Sequence, residues 1–108
     1  MINKLILDTL EDFLPTFYIS KGNFKGSCVV FNYIEKPSSF ADNEEDTISY
    51  EVLLNVYDKE NIKQSSEEII KRLNKKGFKK TIIQSALECN DGFFNMPIKL
   101  KIKLRKED

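Results

Sequence analysis

The sequence predicts an α+β domain: an antiparallel-dominated sheet of about four strands with two helices packed on one face, in the order α-β-β-α-β-β. Three observations carry this. The segments "INKLILDTLEDFL" and "NIKQSSEEIIKRLNKKGF" repeat apolar residues at helical spacing. The stretches 48–56 and 94–104 alternate apolar and polar residues with period two. The 108 residues hold no linker, repeat or low-complexity tract, so 1–108 reads as one domain.

In chain order, the first helix puts Leu5, Ile6, Leu10, Phe13 and Leu14 on one face. Asn3 is a candidate cap and Pro15 a stop. Residues 17–27, "FYISKGNFKGS", carry two glycines and alternate poorly, which gives a loop with room for a short strand around Phe17 to Ile19. "CVVFNYI", rich in β-branched and aromatic residues, predicts a strand from Cys28 to Ile34. Lys36 to Asp46, with Pro37, two serines and an acidic cluster, reads as a loop, longer than the usual ~4–6 residues. Ile48, Tyr50, Val52, Leu54 and Val56 then share one strand face, and Ser49, Glu51 and Asn55 the other. Leu53 and Tyr57 interrupt that polar face, which points to partial cover there as well.

The second helix has two candidate caps, Asn61 and Ser65; Ser65 with Glu68 has capping-box spacing. Ile62, Ile69, Ile70 and Leu73 form its buried stripe. Glu67 and Glu68 lie early and Lys75 and Lys76 late, as the helix dipole favours. Gly77 is placed for the left-handed position past the helix end, with Phe78 set for a hydrophobic contact to Leu73. The C-terminal third reads as a hairpin in which "FKKTIIQSALEC" and "FFNMPIKLKIKLRK" flank the turn Asn90-Asp91-Gly92. The last strand presents Phe94, Met96, Ile98, Leu100, Ile102 and Leu104 on one face and Lys99, Lys101, Lys103 and Arg105 on the other. Pro97 has no N–H for a ladder, so this strand is expected at an edge or bulged there.

Composition narrows the function. With 41% hydrophobic and 31% charged residues the chain is a globular one. Seventeen basic and seventeen acidic residues leave no net field to draw in nucleic acid or membrane. Near neutrality, self-association meets little repulsion. No run approaches the roughly 18 apolar residues of a membrane span. The N-terminal stretch lacks signal-peptide features, so the protein reads as intracellular. Cys28 and Cys89 have no metal-ligand spacing and read as reduced thiols. There is no histidine, which removes the usual general base near neutral pH and the commonest zinc ligand.

Two clusters remain as candidates for chemistry. Asp42, Glu44, Glu45 and Asp46 concentrate carboxylates, as a hard divalent cation would require. Adjacent residues on one loop make a poor cage, so the favoured reading is a solvated or partner-facing loop, and no metal is expected. The Lys99, Lys101, Lys103 and Arg105 face could track phosphates in a salt-dependent way. The favoured reading there is the solvent face of a half-buried strand, whose lysines block edge-to-edge aggregation. Ser38, Ser39, Ser65 and Ser66 lack a histidine partner, and Gly22 and Gly26 match no phosphate-loop pattern. These residues argue against an enzyme and against a bound cofactor.

The stretch "KPSSFADNEEDTISYEVLLNVYD" resembles a segment of the tail-completion proteins of long-tailed bacteriophages and prophages, also called tail-terminator or tail-to-head joining proteins. The likeness rests on Pro37-Ser38, Ala41-Asp42, Glu44-Glu45 and the strand from Tyr50 to Tyr57. Gly77-Phe78-Lys79-Lys80 and Asn90-Asp91-Gly92-Phe93-Phe94 extend it, so that it covers residues 28–104. Asn55 and Asn95 depart from an acidic residue and a histidine in the pattern. The resemblance implies a non-enzymatic structural protein that forms a ring with copies of itself, commonly a hexamer. Its partners would be the tail-tube and head-closure proteins, with no membrane and no specific nucleic acid, although DNA passes through the ring. Its place would be the host cytoplasm during assembly and then the head-tail interface of the virion. On this reading the 36–47 loop, with Pro37, Ser38, Phe40, Asp42, Glu44, Glu45 and Asp46, serves the subunit or partner interface. Lys99, Lys101, Lys103 and Arg105 would face the channel or a partner. The alternative is a small nucleic-acid-binding accessory protein that uses this same basic face.

Overall fold

A computed structural model describes residues 2–37, 47–83, 85–89 and 91–105. The described chain runs α1 (Ile2–Leu10), β1 (Thr16–Tyr18), β2 (Cys28–Pro37), β3 (Thr47–Asp58), α2 (Ile62–Lys75), β4 (Lys79–Ile83), β5 (Leu87–Glu88) and β6 (Phe94–Arg105). The α+β class holds. The sheet has six strands rather than about four, and it is mixed, in the order β1-β2-β3-β6-β4 with β5 also on β6.

β1 falls at the short strand the sequence allowed around Phe17 to Ile19, one residue earlier; β5, two residues long, is too short for alternation to reveal. β1 lies parallel to β2, with Thr16 beside Val29 and Tyr18 beside Phe31. Its pairing is extended by the Val29 N–H to the Pro15 carbonyl and the Ile19 N–H to the Phe31 carbonyl. The chain then doubles back within residues 19–27, and Ile19 takes φ 72°, a left-handed conformation that is strained for a β-branched residue. The segment "FKKTIIQSALEC" is two strands, not one. β4 pairs with the middle of β6 and shifts register between Lys80 and Ile82; β5 pairs Leu87 with Asn95 and Glu88 with Phe94.

β2, β3 and β6 form the antiparallel centre, with Val29 across from Val56, Phe31 from Leu54, and Leu54 in turn from Ile98. These residues, with Val52, Leu100 and Ile102, form one face of the sheet and pack on Ile2, Ile6 and Leu10 of α1 and Ile69 and Leu73 of α2. Both helices therefore cover the same face. Each buried Leu, Ile, Val or Phe side chain contributes about 1.5–3 kcal/mol.

The helix ends explain themselves locally. α1 stops at Leu10, short of the predicted stretch to Leu14, and closes with bonds from Glu11 N–H to the Leu7 carbonyl and from Leu14 N–H to the Leu10 carbonyl. Asn3 lies inside α1 rather than capping it, and its Oδ1 accepts the Tyr33 hydroxyl. At the C-terminus of α2 the Phe78 N–H reaches the Leu73 carbonyl and the Gly77 N–H the Asn74 carbonyl, with Gly77 at φ 99°. This is the expected Schellman motif, and Phe78 is buried beside Leu73.

Two expectations fail. Neither Asn61 nor Ser65 caps α2 through its side chain from the N-cap position. Instead Asp58, at the end of β3, accepts the N–H groups of Glu60 and Asn61 (3.1 and 3.3 Å) and the buried Ser65 hydroxyl (2.6 Å). Pro97 is not at an edge: β6 is interior, and Asn55 of β3 lies across from Pro97. On the other side of β6 the partner changes from β5 to β4 between Asn95 and Ile98, so Pro97 sits where that ladder is interrupted.

Candidate functional site

Period two assigns the other sheet face. Lys36 and Ile34 of β2, Leu53, Glu51 and Ser49 of β3, and Pro97, Lys99, Lys101, Lys103 and Arg105 of β6 all point away from the helices. β4 adds Lys79 beside Lys101 and Ile82 beside Lys99. Among the described residues, cover lies at one end of this face. There Phe17 lies beside Val30 and meets Phe24 in a tilted ring contact at 5.2 Å, and Cys28 and Val30 are buried. Lys21 sits at the same end, its Nζ 4.9 Å from the centre of the Tyr57 ring and 5.7 Å from that of Phe93, while Lys59 lies 5.2 Å over Phe93.

The rest of the face is open, basic and partly apolar. Ile34 and Ile82 are 50% and 48% exposed, large values for isoleucine on a strand. Lys79, Lys99, Lys101, Lys103 and Arg105 are all exposed. Glu51 is the one carboxylate on this face among the described residues of β2, β3, β4 and β6, and Lys36 Nζ holds it at 2.7 Å. That hydrogen bond and charge keep Glu51 below the usual carboxylate range, with Lys99 and Lys101 adding to the effect.

Three shallow cavities run along β6 on this side. One of about 190 Å³ is lined by Leu53, Asn55, Ile82, Pro97 and Lys99. The next, about 240 Å³, lies between Glu51, Thr81, Lys99 and Lys101. The third, about 390 Å³, opens beyond the start of β4 between Ser49, Gly77, Lys79, Lys101 and Lys103. Shared residues make them one groove that turns from apolar at Pro97 to cationic at Lys101.

Elsewhere packing shifts several titratable groups. Burial pushes the Cys28 thiol up, against the pull of Lys21. Burial, aided by Tyr18, pushes the Tyr33 phenol up to about 12. Burial acts to raise the Asp58 carboxyl, but its bonds from Ser65, the Glu60 and Asn61 backbone and Ser27 outweigh this and hold it low. Among the described residues no group of three or more His, Cys, Asp or Glu side chains is placed to hold a metal ion. No described helix is long and apolar enough to cross a membrane.

Of the residues singled out in the sequence, Lys99, Lys101, Lys103 and Arg105 do share one exposed face. Pro37 ends β2 opposite Ile48. Ser38, Phe40, Asp42, Glu44, Glu45 and Asp46 lie outside the described residues. Sequence reasoning missed Lys79, Ile82 and Lys36 as members of the face, because their side depends on the register of β4 and β2 against the centre. It also missed Asp58; an Asp directly before the Lys59–Asn61 turn into a helix was the available signal. No protein-family model matches the chain, and no curated protein matches it.

Proposed function

We propose that this chain is a structural phage or prophage subunit that terminates the tail tube and joins it to the head-closure ring, assembling as a ring with its own copies. The observation that carries the reading is the division of the sheet. One face is closed by both helices, and among the described residues the other is exposed and basic, with two separate isoleucines, on β2 and β4. Such a face suits contact with an acidic protein surface, since complementary charge selects a partner. The resemblance over residues 28–104 supplies the identity of that contact. In this reading the subunit performs no turnover and needs no cofactor.

The test is direct. Purified chain is added to tail tubes assembled without it and viewed by electron microscopy. A ring of added density at one tube end is expected; tubes that stay bare contradict the reading. The exposed cationic row favours a second reading, a nucleic-acid-binding accessory protein. Tight DNA binding that weakens linearly in log salt, with a slope of about −0.9 per phosphate neutralised, would select it.

A further inference from the structure

We infer that the groove along β6 is the seat for the 40–44 segment of a second copy of this chain, with Phe40 at Pro97 and Ile82, Asp42 at Lys99 and Glu44 at Lys101. This rests on the ring reading and adds the receptor surface to it. Charge is the first argument. Lys79, Lys99 and Lys101 lie together on this face, whose described strands carry one carboxylate, Glu51, held by Lys36. The 42–46 segment carries the densest run of acids. Complementary charge selects partner and register.

Spacing is the second argument. An extended chain presents every second residue to one side, about 6.6 Å apart. Seated in that form, Phe40, Asp42 and Glu44 would match the spacing of Pro97, Lys99 and Lys101. The groove changes in the same order. Its cavity at Pro97 is about 190 Å³ and mostly apolar, and the next is bounded by Lys99 and Lys101. An apolar cavity of about 150 Å³ suffices for a benzene ring.

Tether length is the third argument, and it fixes the occupant. Phe40 is three residues from Pro37, so its Cα stays within about 11 Å of that residue. Pro37 is level with Ile48, and Ile48 with Leu104. Pro97 is seven positions along β6 from Leu104, roughly 23 Å. A chain cannot seat its own Phe40 there, and only another copy can. Segment and groove are different surfaces of the subunit, so the contact can repeat from copy to copy around a ring.

The test is a titration of the isotope-labelled full chain with a synthetic peptide of residues 37–46 at low ionic strength, followed by amide chemical shifts. Shifts centred on Leu53, Ile82, Lys99 and Lys101 are expected. The chain carrying Lys99→Glu and Lys101→Glu should bind the peptide about tenfold more weakly or worse. A peptide with Asp42→Lys and Glu44→Lys should bind that variant again, a rescue that general damage to the fold would not give. A Phe40→Ser peptide should lose binding to the native chain. Absence of shifts, shifts centred elsewhere, or indifference to charge reversal overturns the seat. Sedimentation at high concentration separates the two claims. Self-association that survives Lys99→Glu with Lys101→Glu overturns the seat and leaves the ring reading standing. Peptide binding and charge rescue without larger closed species uphold the seat and count against the ring.

Discussion

Asp58 does more than its position at the end of a strand announces. It closes β3 on the buried side, satisfies two N–H groups ahead of α2 and accepts the Ser65 hydroxyl. Asp58→Ala should cost about 2 kcal/mol, because it removes a cap and leaves a buried hydroxyl without its acceptor; chemical denaturation measures it. The folded-state carboxyl is held below its unfolded value, so this contribution is complete above the unfolded pKa of about 3.9 and is lost as pH falls through the folded one. Acid unfolding of the native chain should therefore be steeper below pH ~4 than that of the Asp58→Asn variant. Ile19 is the opposite case. It is 60% exposed and sits at φ 72°, so it gains little from burial and bears backbone strain. Ile19→Gly should be neutral or stabilising, by up to about 1 kcal/mol, in the same assay.

At the scale of elements, the C-terminus of α2 was legible in full, while at its N-terminus the position of Asn61 as N-cap was legible and the absence of its side-chain bond was not. Gly77 and Phe78 signal their roles locally, since a left-handed residue and the contact after it occupy fixed offsets from the helix end. A Cβ at Gly77 would meet only Ile102 Cδ1 at 3.7 Å, ordinary contact, so Gly77→Ala should cost the backbone term alone, about 1–2 kcal/mol. The cap by Asp58 comes from the preceding strand and becomes visible only when β3 and α2 are seen to meet. The long strands were legible for the same local reason. Ile48 to Val56 and Phe94 to Leu104 alternate far enough to fix their faces. β1 and β5, three and two residues long, have no period to read and exist because β2 and β6 offer them edges. Pro97 misled for a related reason. Its missing N–H was read as an edge or a bulge; the strand is interior, and the outer ladder is interrupted there as it changes partner.

For the molecule as a whole, the candidate site was half legible. The cationic row on β6 follows from period two, but Lys79 and Ile82 join it only through the register of β4, which contains a shift. The groove they complete leaves one sheet face without a helix, in a chain whose acids and bases balance overall. Self-association at this face should weaken as salt is raised past physiological strength, where the Debye length is about 8 Å, while the apolar part persists. Sedimentation across a salt series checks this.

The central claim is that this chain caps a tail and joins it to a head. Electron microscopy of particles made by the parent phage with this reading frame deleted tests it most directly. The account predicts filled heads and tails that remain unjoined, with uncapped tail ends restored by supplying the chain. Intact, infective virions from the deletion would contradict it.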